Sequence, residues 1–181
     1  MVSNQKFSLN DGEEKVDVHA YRSLIGSLLD LTNNRLDIAF ATSVLSRFIQ
    51  SPSKTHYGAA RRILRYLKET ISFGILYGKN DQFNLFGYSN SDWAGCVDDR
   101  HSTSGYAFFL GSGAISWSSK KQASTALSSL EVEYISLKAA ACQATWTRRT
   151  LEDMKQLQMQ PTTIFCDNQS TIAMTKKSNI P

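Results

Sequence analysis

Three acidic positions could serve hydrolytic chemistry because of where they fall: Asp92 after an apolar extended run, Glu131 or Glu133 in a helical stretch, and Asp167 closing Thr162-Thr163-Ile164-Phe165-Cys166. A carboxylate at the end of a strand is held rigidly and still reaches water, which is what a hard divalent cation with oxygen ligands needs. Metal-assisted phosphoryl chemistry would use such a group. Single acids at strand ends also cap helices and finish turns, so the fold has to bring these together. At about 100° per residue, Glu131 and Glu133 flank opposite sides of the seam Leu130/Tyr134/Leu137, and only one can face a shared site.

The other constellations are weaker. Asp99, His101 and Ser104 lie on one turn with no oxyanion motif, a poor basis for a nucleophilic triad. Gly111-Ser112-Gly113 lacks the third glycine of a dinucleotide fingerprint and precedes a strand pattern, so it reads as a hairpin turn. Arg62-Ile63-Leu64-Arg65 spells the RxLR motif of secreted pathogen effectors, but a helical period runs through it and no signal peptide is evident before it. Trp93, Trp117 and Trp146 suit core or hairpin packing better than base stacking. Arg61, Arg65 and Lys68 share a helix face at i, i+4, i+7, which suits solvent or a phosphate backbone.

These residues need elements to hold them. Residues 1–18 show no apolar period and read as a flexible lead-in. Tyr21, Leu24, Ile25, Leu28, Leu29 and Leu31 repeat with helical spacing, as do Ile38, Ala41, Val44, Leu45 and Phe48 up to Pro52. Ala60, Ile63, Leu64 and Leu67 form the apolar face of a third helix. Alternation then predicts a hairpin from Ile71–Tyr77 and Phe83–Gly87 around Gly78-Lys79-Asn80-Asp81, and a second from 106–110 and 114–118. Leu127, Leu130, Tyr134, Leu137 and Ala141 predict a long helix, followed by a buried strand ending at Cys166 and a last helix from Ser170. The order predicts an α/β sheet domain from about residue 71, behind a small helical segment at 19–70.

Composition sets the class. The 181 residues, 41% hydrophobic and 20% charged with 3 prolines, suit an ordinary globular domain. No apolar run reaches membrane-spanning length, and the polar N-terminus predicts an intracellular, unsecreted protein. The net charge is +4, and all of it lies in residues 1–80, with 11 basic against 7 acidic side chains. Cys96, Cys142 and Cys166 are an odd count at wide spacing, against both disulfides and a structural zinc site, and read as reduced and buried.

Several strings carry a family resemblance: Tyr21-Arg22-Ser23-Leu24-Ile25-Gly26-Ser27-Leu28-Leu29, Leu64-Arg65-Tyr66-Leu67-Lys68, Ser91-Asp92-Trp93-Ala94-Gly95, Ser102-Thr103-Ser104-Gly105-Tyr106, Ile115-Ser116-Trp117-Ser118-Ser119-Lys120-Lys121-Gln122, Glu133-Tyr134-Ile135 and Cys166-Asp167-Asn168. In order and over nearly the whole chain, it resembles the Pol polyprotein of copia-type retrotransposons. The resemblance implies the tail of a reverse transcriptase with its connection up to about residue 70. It implies a ribonuclease H-like domain, a mixed five-stranded sheet flanked by helices, over residues 71–181. The implied substrate is the RNA strand of an RNA–DNA hybrid, and the implied partner is the rest of the reverse transcriptase in the parent polyprotein.

The family mechanism uses two Mg2+ ions and four carboxylates. Carried over by position, the helix glutamate is Glu133 and the acid after the buried strand is Asp167. The first aspartate of the pattern Y-S-D-x-D-W-A-G falls on Asn90 here, with Asp92 two residues on as the substitute. A neutral amide cannot draw two cations together, so weak metal binding and impaired hydrolysis are expected. The chain ends at Pro181, before the family's last strand and helix with its histidine and fourth acid, so a truncated, decayed domain is expected. Phosphate contacts would come from Arg61, Arg65, Lys68, Lys120 and Lys121. The alternatives are a nucleic-acid-binding module without catalysis and a relic without function.

Overall fold

A computed structural model describes residues 6–78 and 83–177. The chain divides into two compact units, Met1–Ile75 with Cys96–Arg100, and Leu76–Gly95 with His101–Pro181.

In the first unit, Asp17 caps helix α1 (Val18–Leu31) by accepting from His19 N. A 3-10 turn (Leu36–Ile38) leads into α2 (Ala39–Ser46), and α3 follows over Lys54–Glu69. Tyr21, Ile25, Leu28, Ile38, Leu45, Phe48, Ala59, Ala60 and Ile63 close one core. Leu29, Leu31 and Leu64, expected on apolar faces, point to solvent. On α3 the buried face is His56, Ala59, Ala60 and Ile63 with Leu67 partly buried, so Leu64, about 100° round the helix from Ile63, falls outward.

The stretch expected as a flexible lead-in is fastened to this core. Phe7 is buried in it, Lys54 N donates to Glu14 O and Val16 N donates to Pro52 O. Ser53, the N-cap of α3, donates to Asp11 Oδ2, and its own N–H donates to His56 Nδ1 at 3.0 Å. His56 is fully buried, stacked on Phe48 at 3.9 Å with Phe7 beside it. Burial holds its imidazole below the ordinary histidine value; Asp11, the Ser8 carbonyl and Asp98 oppose the shift, and Lys15 adds to it.

In the second unit, β1 (Leu85–Asp92), β2 (Thr103–Leu110), β3 (Gly113–Lys121) and β4 (Thr163–Phe165) form a sheet in the order β3-β2-β1-β4. Neighbours are antiparallel except β1 and β4, which run parallel. The expected second hairpin is present, with Gly111 supplying the positive φ of its turn. The expected first hairpin is not. Residues 71–78 form no ladder, and Ile71 is 86% exposed. Alternation makes a strand only where a neighbouring edge offers hydrogen bonds, and here Tyr77 OH and Gly78 N reach the β2–β3 turn instead, at Ala114 O and Ser112 Oγ. Lys79 to Gln82, including most of that expected turn, lie outside the described residues.

Helix α4 (Ser129–Asp153) covers one face of the sheet, and α5 follows at Gln169–Lys177. Its buried face differs from the expected seam. Val132, Glu133, Ser136, Ala140, Ala144, Thr147 and Leu151 are buried, while Leu127 is 92% and Tyr134 40% exposed. Small side chains let the helix axis approach the strands, and Ala140 and Ala144 pack on Leu85 and Phe108. Of the cysteines only Cys96 is buried; Cys142 is exposed and Cys166 half-buried. Trp93 and Trp146 are exposed rather than core. No helix among the described residues is long and apolar enough to cross a membrane.

Candidate metal-binding site

Rotation of α4 separates the two glutamates. Ser128 caps the helix by accepting from Glu131 N, and Glu131 Oε2 accepts from Leu127 N at 2.8 Å, so Glu131 is engaged at the helix start. Two residues on, Glu133 lies on the sheet side and is 7% exposed.

The sheet side is built for it. Along β1 the side chains of Leu85, Ser89 and Ser91, and the bare backbone of Gly87, face α4. Gly87 is required there, because a Cβ would meet Phe108 Cε1 at 2.5 Å. Ser136 Oγ donates to the Asn90 carbonyl at 2.7 Å and accepts from Ser89 Oγ at 3.0 Å, which fastens helix to strand. Ser91 Oγ donates to Glu133 Oε1 at 2.6 Å. Glu133 Oε2 is buried without a hydrogen-bond partner.

Strand β4 delivers the rest. Tyr88 on β1 is level with Phe165, so Asp167 emerges two residues later beside the end of β1. Asn168 Oδ1 then accepts from Thr171 N and starts α5. One ligand atom from each of Glu133, Cys166 and Asp167 lies within 4.8 Å of the others. A buried, unpaired carboxylate oxygen beside a second carboxylate fits one divalent cation, because burying an unpaired charge is costly and a cation offsets it.

Asn90 stands elsewhere. It alternates with Ser89 and Ser91, so its side chain is on the face that carries Tyr88 and Phe165, whose rings stack at 5.1 Å. Its Oδ1 accepts from Ser91 N. Asp92, two residues on, is folded over Gly95, where any Cβ would overlap its carboxylate. Four carboxylates around two ions do not fit the described residues.

Lys120 is exposed and Lys121 half-buried on β3; Arg61, Arg65 and Lys68 are exposed on α3, in the other unit. His101 Nδ1 bonds the Gln122 carbonyl, and Ser104 Oγ accepts from Gln122 Nε2, so both serve a backbone junction. Sequence reasoning did not single out Ser91, Ser136 or Cys166 for the site. The signal was available for Cys166: it follows Ile164 by two positions, and Ile164 packs into the core beneath α4.

No family model matches the chain, and no solved structure matches it. Among curated proteins it is 40% identical over 93% of its length to the retrovirus-related Pol polyprotein from transposon RE1 of Arabidopsis thaliana. It is 40% identical over 87% of its length to that from transposon TNT 1-94 of Nicotiana tabacum. The chain spans about 12% of the length of either. It is also 46% identical over 72% of its length to secreted RxLR effector protein 161 of Plasmopara viticola, of which it covers 95%. That likeness extends far beyond Arg62–Arg65, which lie in α3 with Ile63 buried.

Proposed function

We propose that this chain, a fragment of the retrovirus-related Pol polyprotein type of transposons, is from about residue 71 onward a ribonuclease H-type segment acting on the RNA strand of RNA–DNA hybrids. Residues 19–70 are, in this reading, the tail and connection of the reverse transcriptase. The observation that carries it is the buried Glu133 carboxylate, unpaired at Oε2, beside Asp167.

Glu133 and Asp167 hold a divalent cation of the Mg2+ type. When bound, such an ion supplies Lewis acidity and lowers the pKa of a coordinated water. Ser91 fixes Glu133 by occupying Oε1, so that Oε2 remains for the ligand. Asn90, at the position where the family pattern carries aspartate, is neutral and leaves β1 on the face opposite Ser91 and Glu133, so it supports no second ion and hydrolysis is impaired. Exposed Arg61, Arg65 and Lys68 on α3, and Lys120 and Lys121 on β3, supply cations for phosphates. The partners are the hybrid and the remainder of the reverse transcriptase, inside the cell. A second reading, a hybrid-binding module without cleavage, is favoured by the amide at Asn90 together with the exposed basic face of α3.

The test is cleavage of a labelled RNA–DNA hybrid with Mg2+ or Mn2+. Glu133→Gln is expected to lower cleavage at least about 100-fold, the scale of one electrostatic group, whereas Asn90→Asp, whose side chain leaves β1 on the opposite face, is expected to leave it nearly unchanged. Cleavage insensitive to Glu133→Gln would overturn the reading; no cleavage with salt-sensitive hybrid binding would favour the second.

A further inference from the structure

Cys166 sets the chemistry of this site apart from an all-oxygen one. Its Sγ stands within 4.8 Å of the ligand oxygens of Glu133 and Asp167. Cys166 directly follows β4, two residues after Ile164, which packs against the core that α4 shares. Glu133 is more than nine-tenths buried, its Oε1 is taken by Ser91 and its Oε2 has no hydrogen-bond partner. We propose that Glu133, Cys166 and Asp167 form a three-ligand site for a borderline, thiophilic divalent cation of the zinc class.

Ligand preference supports that class. Magnesium takes oxygen ligands in octahedral geometry, whereas a thiolate selects zinc and its softer relatives. Zinc binds thiolate at about 2.3 Å and carboxylate oxygen at about 2.0–2.2 Å, so tetrahedral ligand atoms sit roughly 3.5 Å apart. The three ligand atoms lie within 4.8 Å of one another, so binding draws them together by at most roughly 1.3 Å. On binding, the thiol proton passes to solvent, and the fourth coordination position stays open to water. The proposal rests on and deepens the reading of Glu133 and Asp167 as metal ligands: zinc competes with Mg2+ for the same two carboxylates, with Cys166 as the added ligand.

The experiment uses the full chain carrying Cys142→Ser, which removes the exposed thiol. Cadmium is titrated in excess Mg2+ while the ultraviolet thiolate-to-metal charge-transfer band is followed, and Zn2+ affinity is measured against a chromophoric chelator. The expected result is a band saturating at one equivalent, lost in Cys166→Ser and in Cys166→Ala. A zinc affinity at least tenfold weaker is expected in either variant and in Glu133→Gln. A band that survives loss of Cys166, or an unchanged zinc affinity, overturns the proposal. The outcome is independent of hybrid cleavage: a Cys166-dependent band without hybrid cleavage would sustain this site and reject the nuclease reading. Cleavage without the band would do the reverse.

Discussion

Ser91 donates to Glu133 Oε1 at 2.6 Å, joining the end of β1 to the second turn of α4. The bond satisfies one carboxylate oxygen and leaves Oε2 for a ligand, so the serine positions the glutamate.

Removing that hydroxyl leaves a buried carboxylate with no donor. Ser91→Ala is expected to destabilise the fold by about 1–3 kcal/mol in urea unfolding, the cost of an unmade buried hydrogen bond. The double variant Ser91→Ala with Glu133→Gln should lose less than the two single losses combined, because the charge needing the donor is gone. Strict additivity would show that the bond contributes nothing.

The close approach of α4 to the sheet depends on small side chains. Ala140 is fully buried against the core, so Ala140→Leu should cost about 1–3 kcal/mol through overpacking. Tyr134→Ala, on the outward face, should change stability by no more than about 0.5 kcal/mol. Chemical denaturation of both variants decides it, and a costly Tyr134 truncation would mean that the Leu130/Tyr134/Leu137 seam is the packed one after all.

Acid should loosen the first unit. His56 has a folded pKa lowered from 6.5 by burial, so the unfolded chain binds more protons in the window just below 6.5. Stability there falls as pH drops through 6.5 and levels off once the folded histidine is also protonated. Asp11, lowered from 3.8 chiefly by the Ser53 hydroxyl, adds a separate loss below 3.8. His56→Gln keeps a capping-box side chain and should flatten the stability profile just below pH 6.5. An unchanged slope in that variant would rule out His56 as its source.

Hybrid binding, if carried by the basic face of α3, should be salt-dependent. Replacing Arg61, Arg65 or Lys68 singly by Ala should lower the slope of log affinity against log salt by about 1 each, read by fluorescence anisotropy. Slopes that do not move would exclude that face as the phosphate contact.

Much was readable from the order of residues. The helical spacing of Tyr21, Ile25 and Leu28 and of Ile38 and Leu45 matches buried faces, because each pattern meets a neighbour in the same short segment. The turn at Gly111-Ser112 and a strand ending near Cys166 were legible for the same local reason, but that strand was expected to be buried, and β4 is exposed at Thr163 and Phe165. Glu133 and Asp167 were named from the family pattern, and the structure brings them together with Cys166. Asn90 and Asp92 shared a face, as pleating requires, but the structure sets that face away from Glu133.

Tertiary contact decided the rest. Ile71–Tyr77 alternates as well as any strand in the chain, yet finds no edge to pair with, and hydrogen bonds with a partner are what turn alternation into a strand. Counting apolar residues along α4 chose Leu127, Tyr134 and Leu137, whereas the helix lies on Val132, Ser136, Ala140 and Ala144. Hydrophobicity ranks the large side chains first, but the distance between a helix axis and a sheet is set by the small ones. That distance, invisible in the sequence, turns Glu133 inward onto Ser91 and leaves Glu131 at the helix cap.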